Sequence, residues 1–133
     1  MYILDTDISI FLLRGQATHI VDRLKLLDSD LLGTTAITAA ELRYGAIHSN
    51  NPAGNLELVE QFLAPLQLFS FNNSAAIHFA AIKEHLSRAG KLIGPMDFLI
   101  AAITRSVDAT LVTNNTNEFA RVPGLKVQNW LKP

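Results

Sequence analysis

Acidic residues fall where this chain would change from one element to the next. Asp5 and Asp7 stand one residue apart at the end of the apolar run Tyr2-Ile3-Leu4, Glu41 follows the second apolar run, Asp97 directly precedes Phe98-Leu99-Ile100-Ala101-Ala102-Ile103, and Glu118 lies beyond the run that ends at Thr113. Each has a local explanation. Asp7 could cap the helix after it, Glu41 could close a capping box with Thr38, Asp97 could complement a helix dipole, and Glu118 could be a solvated loop residue. The carboxylate of Asp97 argues for more, because an acid set against a wholly apolar helix is desolvated unless something pairs with it. If Asp5, Glu41, Asp97 and Glu118 converge, two like charges ~4 Å apart cost about 4 kcal/mol at an effective dielectric of ~20. Such a cluster needs a cation. With no Cys in the chain and no closely spaced His, carboxylate oxygens favour Mg²⁺ or Mn²⁺ over Zn²⁺. A cation of that kind polarises a phosphoryl oxygen and acidifies a bound water, which makes phosphodiester hydrolysis the matching chemistry.

Convergence depends on the elements between the acids. Apolar periodicity predicts strands over 2–4, 31–36, 66–71, 109–113 and 125–128, and helices over 8–13, 17–27, 38–47, 56–63, 74–89 and from 95 onward. Thr38-Ala39-Ala40-Glu41 matches a capping box, 50–55 reads as a loop, Gly90 as the residue just past a helix, and Gly94-Pro95 as a helix start. Strands alternating with helices imply right-handed crossovers and an α/β/α sandwich on a central, mainly parallel five-stranded sheet. A carboxylate at the carboxyl end of such a strand lies where open α/β sheets keep their ligands.

At 133 residues and 49% hydrophobic composition, one globular domain over 1–133 is expected. No apolar run approaches the ~18 residues of a membrane span, and Asp5 interrupts the only candidate leader. With no Cys, these features point to the cytoplasm. The net charge of −1 carries no global basic footprint for nucleic acid, although an acidic metal site can mask a modest basic rim.

The segments LDTD, TAAELRYGA, IGPMDFLIAA and LVTNNTNEFARVPGL, in this order and covering essentially the whole chain, resemble the PIN-domain ribonucleases, specifically the VapC toxins of toxin–antitoxin pairs. The resemblance implies that Asp5, Glu41, Asp97 and Glu118 form an acidic Mg²⁺ or Mn²⁺ site that activates water against an RNA phosphodiester. It also implies a homodimer, a VapB-type antitoxin whose carboxyl-terminal segment blocks the site, and a higher assembly with that antitoxin. The TNNTxEF form is similar to members that cut the anticodon stem-loop of initiator tRNA. Two positions depart from the family pattern: DTD replaces the usual DTN, and Met96 replaces a residue that is often polar. Asp7 therefore either joins the metal shell or caps its helix, with capping favoured.

Thr6, Thr113, Asn114 and Asn115 are candidates to support the acids, although local backbone bonding would also account for them. Arg14, Arg43, Arg88, Lys91 and Arg121 flank the motifs and could meet phosphates, and the four histidines carry no expected role. Asp5-Thr6-Asp7 also resembles the nucleophile motif of haloacid-dehalogenase-type phosphatases, but that family needs a later Lys followed by an acidic pair, and Glu118 is the only acid after Thr113. A phosphoacceptor receiver domain fails because Ser70-Phe71-Asn72 ends the third strand. A different class of reading is a catalytically idle antitoxin-binding partner acting in operon autoregulation. The presence of all four acids argues against it.

Overall fold

The computed structural model describes residues 1–16 and 18–131. Its centre is a five-stranded sheet in the order β3-β2-β1-β4-β5, with every pairing parallel. The strands are β1 Tyr2–Leu4, β2 Leu32–Thr35, β3 Gln67–Phe69, β4 Thr110–Val112 and β5 Lys126–Gln128. Ile3 of β1 sits between Gly33 of β2 and Leu111 of β4. The chain thus winds outward to one side through β2 and β3, then returns across β1 and winds to the other. Strand order reverses between β1 and β4, and the crevice over their carboxyl ends is the ligand position of this architecture.

Seven α-helices are present among the described residues: α1 Thr6–Leu13, α2 Thr18–Lys25, α3 Ala36–Ile47, α4 Pro52–Leu63, α5 Asn73–Arg88, α6 Pro95–Ser106 and α7 Thr116–Phe119. Successive strand residues point to opposite faces, and the core divides accordingly. Ile3 and Leu111 join Ile82 and Leu86 of α5 with Phe98, Ile100 and Ala101 of α6, whereas Leu4 and Val112 join Ile8 of α1, Ile20 of α2 and Trp130. Helices therefore cover both faces, and the α/β/α sandwich is as expected, with a sheet that is wholly parallel. No helix among the described residues is long and apolar enough to cross a membrane.

Local chemistry sets most helix starts. Asn72 accepts from the Ala75 amide to cap α5, and Gly94 and Pro95 open α6 as anticipated. Gly90 follows α5 at φ +67°, a left-handed conformation that glycine adopts without a steric penalty. Three expectations need correction. The helix before the second crossover begins at Ala36: Thr35, not Thr38, is the cap, accepting from the Thr38 amide, so Glu41 lies in the second turn. Asn51 caps α4 and Pro52 occupies its first turn, so most of the expected loop over 50–55, from Pro52 onward, is helical. The segment after β4 holds the short α7, which carries Glu118. Position 17, where the expected second helix began, lies outside the described residues.

Candidate active site

Asp5 directly follows β1 and holds the N-cap position of α1, but its side chain makes no capping bond. It is buried, at 4% exposure. The Thr113 hydroxyl, one residue past β4, donates to Asp5 Oδ2 at 2.8 Å, while Asp5 Oδ1 is buried with no hydrogen-bond partner. Burial, and then the charge of Asp7, push the Asp5 carboxyl up to about 7.

Asp7 does not cap α1. It sits in the first turn, where its Oδ1 accepts from the Ile8 amide and its Oδ2 from the Asn114 amide at 3.1 Å, with the Thr113 hydroxyl 3.3 Å away. Thr113 Oγ1 in turn accepts from the Asn115 amide. One hydroxyl hydrogen therefore faces two carboxylates, and the shorter contact assigns it to Asp5.

Glu41 is reached by a relay of hydroxyls. Thr6 donates to Glu41 Oε1 at 2.8 Å, which spends its only hydrogen and leaves it to accept from Thr38 at 3.0 Å. Thr38 in turn lies 3.4 Å from the Thr35 hydroxyl, which donates to it. Every dipole in the relay points its positive end toward the carboxylate, and such chains strengthen cooperatively. Thr35 and Thr38 were missed as site residues. The signal was present, since Thr38 and Glu41 are three residues apart on one helix face, but a cap reading absorbed it.

Asp97 stands in the first turn of α6 and is half-buried, and its carboxyl is raised to about 6, by burial first and then by the neighbouring Glu118, Glu41 and Asp7. The two neighbouring carboxyls act on one another in opposite senses, Glu118 raising Asp97 and Asp97 helping to lower Glu118. Burial pushes Glu118 up, but the Asn115 side-chain amide and the Gly94 backbone amide, which donates at 2.8 Å, outweigh it and hold the carboxyl below its usual range. Gly94 was also missed as a site residue. A Cβ there would stand 3.2 Å from Asp97 Oδ2 and 3.9 Å from Glu118 Oε1, so its hydrogen leaves room beside both acids.

Asp97 thus feels the charges of Glu118, Glu41 and Asp7, and Asp5 those of Asp7 and Asp97, which makes the acids electrostatic neighbours. Among the described residues, no three acid or histidine side chains are already drawn up to hold one ion, because separate partners hold Glu41, Asp5 with Asp7, and Glu118. The donor chemistry nevertheless fits a hard divalent cation: the nearby oxygens are carboxylate, and Asp5 Oδ1 is desolvated and unspent.

The supporting candidates divide. Thr6, Thr113 and Asn115 bind acids through their side chains; Asn114 does so only through its backbone, its side chain being bonded to Asn129. Of the flanking cations, Arg43 is taken by Glu60 and Arg88 by Glu84. Arg14 lines a groove with Glu41 and the aliphatic side chains of α1, α3 and α4.

The PIN domain family profile matches residues 2–125. Ribonuclease VapC2 of Haemophilus influenzae is 40% identical over 130 residues, covering 98% of both chains. The chain belongs to the VapC group of PIN domains. The tRNA(fMet)-specific endonuclease VapC of Salmonella typhimurium is 38% identical over 129 residues, covering 97% of both chains. The crystal structure of DNA-bound VapBC from Salmonella typhimurium contains a chain that this PIN domain matches with a TM-score of 0.93 at 37% identity, over 97% of each. The family expected from the four motifs is thus the family found. Within this PIN domain the DTD segment places Asp7 beside Asp5, at the end of β4.

Proposed function

We propose that the chain, acting as one domain over 1–133 in the cytoplasm, is a Mg²⁺- or Mn²⁺-dependent endoribonuclease toxin neutralised by a VapB-type antitoxin. The observation that carries the metal-dependent reading is the buried Asp5 carboxylate, one oxygen held by Thr113 and the other without a partner, within reach of the charges of Asp7 and Asp97. Asp5, Glu41, Asp97 and Glu118 would hold the ion. When bound, it supplies a Lewis acid for the phosphoryl oxygen and an acidified water for attack.

The chain's own residues prepare that site. Thr113 fixes the Asp5 carboxylate by its Oδ2, and the Thr35-Thr38-Thr6 relay orients the Glu41 side chain by its Oε1. Gly94 and Asn115 hold the Glu118 carboxyl below its usual range, while burial and the charge of Glu118 raise that of Asp97. The relatives named as tRNA(fMet)-specific endonucleases support initiator tRNA as substrate, and the resemblance of the TNNTxEF segment points to the anticodon stem-loop as the cut region. The VapBC complexes support an antitoxin-bound assembly, in which the toxin is proposed to be a homodimer.

Asp97→Asn tests the reading. Cleavage of RNA and growth arrest are lost while antitoxin binding persists; a variant that cleaves normally would remove Asp97 from the site. Independently, millimolar Mn²⁺ raises the melting temperature of the wild-type protein, because a ligand of the folded state alone stabilises by mass action. Sequencing of RNA ends after expression identifies the cut.

A further inference from the structure

Most cations among the described residues are engaged. Arg43, Arg88 and Lys126 are in ion pairs, Arg23 lies over Trp130 and Lys83 over Phe79, and Arg105 binds His78 and the Pro123 carbonyl. Lys91 and Arg121 have no ion-pair partner among the described residues, and both line a cleft of about 330 Å³ between the end of α5 and α7. His85 and Asn117 add polar groups to its wall, and no carboxylate lines it. Arg121 Nη1 donates to the Leu92 carbonyl at 3.2 Å, tying one wall to the segment that ends at Gly94, whose amide holds Glu118. The Arg121 charge is also felt by the Glu118 carboxyl. The cleft is therefore the immediate neighbour of the acids on the α7 side.

An RNA strand presenting a phosphate to several carboxylates is repelled until its flanking phosphates are held. We propose that the Lys91–Arg121 cleft is a phosphate subsite that holds a backbone phosphate of the RNA substrate next to the one being cut, with Asn117 and His85 as further hydrogen-bonding partners. The groove on the other side of Glu41 also holds Arg14, but the Glu41 carboxylate lines it and its walls of Ile10, Leu13, Leu42 and Leu58 suit apolar side chains instead. Backbone contacts of this kind set the register of the strand without reading its sequence. The proposal rests on the ribonuclease reading.

The test uses the full chain. Binding of a labelled single-stranded RNA is measured in EDTA across a salt series, and cleavage of the same RNA is measured with Mn²⁺. For Lys91→Ala/Arg121→Ala, the slope of log affinity against log salt shrinks by about 1.4, at ~0.7 per cation for a single strand. KM rises roughly threefold to tenfold, as expected for two exposed ion pairs, and rises by more than kcat falls. Arg121→Lys retains the slope, as does Lys25→Ala, an exposed α2 cation outside both grooves. Should the double variant melt early through loss of the Leu92 contact, Lys91→Ala alone carries the test, with half the change in slope. A folded variant with unchanged slope and KM, beside a wild type that cleaves RNA, overturns the subsite alone. A wild type that neither binds nor cleaves RNA overturns the ribonuclease reading and the subsite with it.

Discussion

Thr113 has one hydrogen to give and two acids beside it. Thr113→Val keeps the shape and removes that donor, leaving an ionised Asp5 with a buried, unpaired oxygen at a cost of about 1–3 kcal/mol. Because this hydrogen bond favours the charged form, its loss pushes the Asp5 carboxyl above about 7. The Mn²⁺-induced rise in melting temperature should then appear only at higher pH than in wild type. An unchanged pH dependence would mean that Thr113 does not set the charge of Asp5. Asp5 itself was legible in the sequence because an apolar run ends on it. The partner that holds it lies 108 positions away, and no local pattern could reveal that. Asp7 was misread for the same reason: capping is a local explanation, whereas its contacts to Thr113 and Asn114 exist only once β1 and β4 are adjacent.

The turn that enters α6 is built around the hydrogen of Gly94. Gly94 has an ordinary φ of −61°, so Gly94→Ala meets no backbone strain, but its methyl group would stand 3.2 Å from Asp97 Oδ2. Weaker Mn²⁺ binding is expected with little change in the metal-free melting temperature, and a calorimetric titration beside a melting curve separates the two. At the start of α3, Thr35→Ala removes both the cap and the first hydroxyl of the relay, so a loss of about 1 kcal/mol in urea unfolding is expected. Helices with a glycine just past their end or a Gly-Pro start were readable, as α5 and α6 show. The start of α3 was not, because Thr35 and Thr38 are both competent caps and only the end of β2 decides between them. The four-residue α7 is too short to carry any periodicity, and so the placement of Glu118 waited on the tertiary structure.

For the whole molecule, the raised carboxyls make stability depend on pH with a definite sign. Folding raises the Asp5 carboxyl from 3.8 to about 7, and that of Asp97 from 3.8 to about 6. Between those values the folded chain binds more protons than the unfolded one, so metal-free stability falls as pH rises from about 4 to about 7 and levels off above. Saturating Mn²⁺ should flatten or reverse that fall, because the ion competes with those protons; urea midpoints across pH, with and without metal, measure it. The layer architecture was legible from the alternation of elements, but the strand order that makes β1 and β4 neighbours was not, since it depends on which crossovers the two cores can bury. Crowding like charges at that junction also shapes how the gene would change under selection. A cell that survives exposure to the active protein needs only to exchange one crowded acid for its amide, which relieves repulsion and leaves the fold intact. Survivors should therefore be rich in full-length, well-folded proteins altered at positions such as Asp97, and comparatively poor in truncations wherever the antitoxin-binding surface must be kept.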